Sequence, residues 1–288
     1  MTTQMTTRTL DVEGATLTYD VRTGSNAGKT PLFLIGSPMG AAGFRTLAGY
    51  FEDRTVITYD PRGAERSTKV DASSASVPEQ HAEDLHRIIE ALGGPVDLFA
   101  SSGGAVNALA LVARHPGDVR TLVAHEPPVG SLLSDRENAL AAARAVHETY
   151  QQRGWGAGMA HFLAVISHRG EFPDDFASRP APDPAAFGMP TEDDGSRGDV
   201  MLGQNMISCT HFEPDLEALR AAETRIVIGA GKESEGEMAH RGGVAVADRL
   251  GQKPVIFPSD HGGFLGGEYG QTGKPAEFAA TLREVLDG

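Results

Sequence analysis

Apolar and polar positions along the chain follow two periods in turn. Short, mostly apolar runs recur at 31–36, 55–59, 96–100, 121–124, 225–229 and 254–257, lengths that suit buried strands. Stretches with apolar residues at helical spacing lie between most of them, at 43–51, 79–92, 105–114 and 238–250. Continuously apolar strands separated by amphipathic helices predict an α/β architecture, a mostly parallel sheet with helices on both faces. The first twenty residues differ. There Leu10, Val12, Ala15, Leu17 and Tyr19 alternate with polar neighbours, which predicts an antiparallel hairpin ahead of the alternating units. The rhythm breaks at 128–214, which opens on a helical run at 135–152, passes through a Pro-, Gly- and Asp-rich piece at 171–199 and resumes at 200–208. The expected organisation is a core at 1–127, an insertion at 128–214 and the remainder of the core at 215–288.

Ligands of such sheets bind at the carboxyl ends of the strands. The 96–100 run passes into the 105–114 helix through Ser101, Ser102, Gly103 and Gly104 with no linker. A strand that becomes a helix so abruptly bends within about one residue, in a strained backbone geometry. Ala100 and Gly104 set small residues symmetrically about Ser102, whereas centring the turn on Ser101 would place Phe99 in a slot that needs a small side chain. Ser102 is therefore the candidate nucleophile. Two later strands empty into 231–237, which carries Glu233, and 258–264, which carries His261. A serine hydroxyl near neutral pH needs a base to take its proton, and the base needs an anion to fix its tautomer. Ser102, Glu233 and His261 stand in the chain order nucleophile, acid, histidine.

With these residues in place, the chain resembles the α/β-hydrolase-fold superfamily over nearly its whole length. The resemblance rests on Gly36-Ser37-Pro38-Met39-Gly40, on Tyr59 to Ser67, on the Ala-Ser-Ser-Gly-Gly elbow and on Asp260-His261-Gly262-Gly263-Phe264. It implies an oxyanion hole made by the N–H groups of Ser37 and Gly103. It also implies that 128–214 is a helical cap after the sixth core strand. Trp155, Phe162, Met201, Met206 and Phe212 would then be candidate pocket walls, and 171–199 a mobile loop gating access. Each of those apolar side chains has an alternative reading as packing within the cap. The resemblance leaves the acid open. Glu233 is the first carboxylate after the seventh predicted strand, Glu235 and Glu237 share its loop, and Glu126 ends the sixth, where some members place the acid. Two departures stand out: Ile35 occupies a position usually held by His, and Glu65 replaces a glycine of the 60–67 turn. The implied activity is hydrolysis of a carboxylic ester or lactone of a small to medium apolar substrate, through an acyl-enzyme and without metal or organic cofactor. Perhydrolysis, C–C hydrolysis and a lyase or cyclisation step on the same residues are alternatives, as is a catalytically silent binding protein.

Composition narrows the partners. The formal net charge of −14 argues against nucleic acid and anionic membrane, both of which need a basic surface. A small-molecule substrate and a monomer or homodimer are expected. Cys209 is the only cysteine, which excludes an internal disulfide and a cysteine metal site, and His161, His168 and His211 show no ligand-like pairing. The first eight residues lack the apolar run of a signal peptide, so a cytoplasmic location is expected. The run Gly229-x-Gly231-x-x-Ser234 after a strand has the look of a dinucleotide fingerprint. The glycine needed for close helix–strand packing is a serine here, and the run is set aside for that reason.

Overall fold

The computed structural model describes residues 4–72 and 74–288. Its strands are β1 (Met5–Val12), β2 (Ala15–Arg22), β3 (Leu32–Ile35), β4 (Val56–Asp60), the two-residue β5 (Thr68–Lys69), β6 (Val96–Ser101), β7 (Val119–His125), β8 (Arg225–Gly231) and β9 (Val255–Phe257). Helices α1 (Arg45–Gly49), α2 (Pro78–Leu92) and α3 (Gly103–Arg114) precede β7. Next come α4 (Arg136–Ile166), α5 (Met206–Thr210) and α6 (Leu216–Ala221), then α7 (Met238–Arg249) between β8 and β9, and α8 (Pro275–Asp287).

The sheet order is β1-β2-β4-β3-β6-β7-β8-β9, with β5 paired to β2. β1 and β2 form the expected antiparallel hairpin and β2 runs antiparallel to β4, while β4, β3 and β6 to β9 are mutually parallel. From β3 the chain moves outward to β4 and later returns to the other side of β3 as β6. The loops leaving β3 and β6 therefore open side by side at the point where the strand order reverses. That is where open α/β sheets leave a crevice for ligands.

The strand residues alternate between the two cores. Phe33 and Ile35 point to the face covered by α2 and α3, whereas Leu32 and Leu34 join Phe44, Phe99, Phe278 and Leu282 on the other. All of these side chains are fully buried. Truncating a buried phenylalanine such as Phe99 to alanine would cost about 3–5 kcal/mol.

Between β7 and α6 the chain builds a third apolar cluster of its own, with Leu133, Val146, Tyr150, Leu202 and Met206 at its centre. The helical run expected at 135–152 extends to Ile166 as α4, broken at Gly154, whose φ of 82° and ψ of −175° are not helical. A side chain at Gly154 would collide with Asp193. The 171–199 piece has little regular structure but is fastened to α4. Asp135 accepts the Phe172 N–H at 2.6 Å, Asn138 donates to the Phe172 carbonyl at 2.9 Å, and Arg197 donates to the Gln151 carbonyl at 3.0 Å. Among the described residues, no helix is long and apolar enough to cross a membrane.

Candidate functional site

Ser102 sits between β6 and α3 with φ 58° and ψ −126°, a conformation that a non-glycine residue adopts only under constraint. The constraint is visible on both sides. Its N–H donates to the His125 carbonyl of β7 at 2.9 Å, and its carbonyl accepts from Ala105 at 2.9 Å as α3 begins. A Cβ at Gly104 would lie 2.7 Å from Gly36 Cα, so only glycine lets α3 start this close to the 36–40 loop. Ser37 follows Gly36 and Gly103 precedes Gly104 at that contact. Among the described residues, neither the Ser37 nor the Gly103 N–H donates to another backbone group.

Ser101 pairs with His125 in the β6–β7 register, which brings Ser102 and Glu126 out of the sheet as neighbours. Glu126 also has positive φ, 49°. Its side chain is fully buried, a placement that costs several kcal/mol for a carboxylate unless charge and hydrogen bonds offset it. Three donors do so. His261 Nδ1 lies 2.6 Å from Oε2, the Gly231 N–H donates to Oε1 at 2.7 Å, and the Ser234 hydroxyl donates to Oε1 as well. Burial alone would raise the Glu126 pKa. The hydrogen bond and charge of His261 outweigh it and hold the group down at about 2. Burial pulls His261 toward the neutral form, but its hydrogen bond to Glu126 and that group's charge leave its pKa above the usual 6.5. An ionised carboxylate only accepts, so the proton of neutral His261 belongs on Nδ1 and the lone pair on Nε2. No hydrogen bond joins Nε2 to the Ser102 hydroxyl in this structure; apo catalytic contacts are often loose in this way.

The structure places Ser102, His261, Ser37 and Gly103 at one sheet edge, but it turns the Glu233 carboxylate away from His261. Glu233 lies in the right loop, its N–H bonded to the Ser259 carbonyl at 2.8 Å, yet its half-exposed carboxylate turns outward and pairs with Lys274. Glu126, the further candidate, occupies the place beside His261. Glu235 is exposed, and Glu237 pairs with Arg169 at 3.1 Å. The reason is geometric: the positive φ of Glu126 folds its side chain inward beneath His261. The glycine-rich run at 229–234 serves the same carboxylate, because Gly231 and Ser234 are two of its three donors. One signal for this was present in the sequence, an otherwise apolar strand, Thr121 to Ala124, that closes on His125 and Glu126.

The five apolar candidates pack into apolar clusters. Met206 belongs to the third cluster, with Trp155, Phe162 and Met201 packed against it, and Phe212 packs on the main core. Trp155 Nε1 donates to Asp199 at 3.1 Å. Two surface recesses of about 440 and 480 Å³ share Ala42 and Arg45, and neither contains Ser102, Glu126 or His261.

Comparison with known proteins gives concordant findings. Residues 32–176 match the family described as alpha/beta hydrolase fold. A Bacillus subtilis (strain 168) protein named Uncharacterized hydrolase YraK is 28% identical over 287 residues, covering 97% of this chain and 95% of that protein. Among solved structures, proline iminopeptidase from Mycobacterium smegmatis is similar at 20% identity and TM-score 0.64, covering 98% of each chain. A carboxylesterase-related structure from Nitrososphaera gargenis is similar at 18% identity and TM-score 0.67, covering 97% of this chain and 98% of that one. At these identities the likeness to solved structures is one of fold.

Proposed function

The chain belongs to the alpha/beta-hydrolase family, and on that premise we propose that it is a serine hydrolase of small to medium apolar carboxylic esters or lactones, working through Ser102, His261 and Glu126. The observation that carries the reading is the contact of the buried Glu126 with His261, 2.6 Å apart, set beside the strained turn at Ser102. His261 Nε2 takes the Ser102 proton as the hydroxyl oxygen attacks the carbonyl carbon. The Ser37 and Gly103 N–H groups receive the negative charge that develops on the carbonyl oxygen. Each such donor contributes roughly 3–4 kcal/mol to lowering the barrier. The imidazolium, stabilised by Glu126, passes its proton to the departing alkoxide and leaves an acyl-Ser102. Water, deprotonated by the same Nε2, then releases the acid and restores the serine. The 128–214 segment, with its own apolar cluster between β7 and α6, acts as the cap over this edge.

A fluorophosphonate probe and a p-nitrophenyl ester series of graded chain length test the reading together. The protein should label at one site and turn over a short ester, and Ser102→Ala should lose both while its circular dichroism is unchanged. Labelling that survives Ser102→Ala, or a protein that neither labels nor hydrolyses any ester of the series, would overturn it.

A further inference from the structure

The 36–40 loop would supply one oxyanion N–H, yet it has few ways to hold itself still. Ile35, which leads into it, is fully buried hydrocarbon, and Pro38 has no N–H to give. Polar anchors reach its two ends. At the far end Asp60 accepts the Ala41 N–H at 2.8 Å. At the near end the Ser37 hydroxyl accepts from Asn205 Nδ2 at 2.8 Å, a contact buried on both sides. Asn205 is 6% exposed and closes a π-helical turn, Met201–Asn205, in the segment between β7 and β8. Turns of this kind recur at functional sites. Its amide oxygen packs against the other donor residue. A Cβ at Gly103 would lie 3.0 Å from Asn205 Oδ1 and 2.5 Å from the Ser37 carbonyl. One side chain from outside the core thus touches both residues that carry the oxyanion donors.

We propose that Asn205 is a positioning residue that latches the 128–214 segment to the Ser37 loop and keeps the Ser37 N–H aimed at the oxyanion. This rests on the reading of Ser37 and Gly103 as oxyanion donors. The hydrogen bond spans 2.8 Å, so a shift of this segment by about 1 Å breaks it. Misplacement of that size near a reacting centre costs up to about 100-fold in rate. Cap position and oxyanion geometry are therefore coupled through one amide.

Two readouts test the latch. Asn205→Ala and Ser37→Ala are each compared with the parent on a short p-nitrophenyl ester, with rates normalised by fluorophosphonate titration of active sites. Each variant should lose roughly 10- to 100-fold in kcat with KM within about threefold, and the double variant should be no more than about threefold worse than the weaker single. The second readout is hydrogen exchange of the peptide spanning 32–44, which should quicken in both single variants and not further in the double. Ser37→Ala removes only a hydroxyl and keeps the test alive if Asn205→Ala folds poorly. Unchanged kcat per titrated site, or losses that multiply in the double variant, would overturn the proposal. If the parent neither labels nor hydrolyses esters, the proposed function fails by itself. Exchange at 32–44 then decides the latch: faster in Asn205→Ala supports it, unchanged sinks it.

Discussion

At the scale of single residues, the site depends on where one carboxylate points. Glu126 and Glu233 have the same chemistry and both stand at strand ends on the same sheet edge, but one is buried under three donors and the other pairs with Lys274 at the surface. Burial gives Glu126 its influence on His261, because an opposite charge a few ångström away in a poorly screened site favours the imidazolium. The sign of the pH dependence follows. His261 must be neutral at Nε2 to act as base, and its pKa lies above 6.5, so kcat/KM should rise with pH along a limb whose midpoint lies above 6.5. Replacing Glu126 by Gln removes the main group that raises it, leaving burial to pull the pKa down against the weaker charges of Glu237 and Asp260. The midpoint should fall in Glu126→Gln while kcat drops by roughly 10³- to 10⁴-fold, as when a triad acid is neutralised elsewhere. Glu233→Gln should keep the parental midpoint and stay within about threefold in kcat. A pH–rate profile of the two variants checks both, and the opposite pattern would return the acid to the loop after β8.

At the scale of elements, the alternation of apolar runs was legible and the acid was not, for one physical reason. Parallel strands are buried on both faces, so their sequences are apolar throughout, and their boundaries fell within about two residues of those expected for β3, β4, β6 and β7. The strand–helix turn at Ser102 was legible as well, because only small residues let β6 and α3 close together. Side-chain direction at a strand end is set by the φ of a single residue, and nothing in the composition of Glu126 or its neighbours encodes 49°. The same limit applies to α4. The run to 152 was readable, but its continuation past Gly154 depends on Asp193 and Pro190 packing against that bend from a distant part of the chain. A close backbone contact between elements lies where α3 meets the 36–40 loop, at Gly104 and Gly36. Gly104→Ala would place a methyl group 2.7 Å from backbone that cannot rotate away. Overpacking of this kind costs about 1–3 kcal/mol. The displaced loop carries the Ser37 N–H, so kcat should fall more than the stability loss explains. Urea unfolding together with kcat per titrated site would show it; a variant with unchanged kcat would mean the loop yields without moving its donor.

At the scale of the whole molecule, β6 joins stability at one end to chemistry at the other. Ser102 follows its carboxyl end, while Asp97, near its start, is fully buried and holds two arginines. Arg120 donates to it at 2.8 and 2.6 Å from a half-exposed position. Arg54 also donates to it, and its side chain is only 4% exposed. Removing Asp97 would therefore leave the buried Arg54 guanidinium with the neutral Thr30 carbonyl as acceptor and its charge unpaired. Breaking a buried pair from one side costs about 3–5 kcal/mol, far more than the net contribution of the intact pair. Four residues of strand separate Asp97 from Ser102, five steps or roughly 16 Å at about 3.3 Å per step. A defect at that distance should lower the folded population without reshaping the turn. Asp97→Ala should accordingly lose about 3–5 kcal/mol in urea unfolding and keep the parental kcat per titrated active site. Replacing Arg54 and Asp97 together by leucine removes the stranded charge and should recover most of the loss. If Asp97→Ala instead unfolds within 1 kcal/mol of the parent, the Thr30 carbonyl is enough to hold Arg54, and the start of β6 does not depend on this pair.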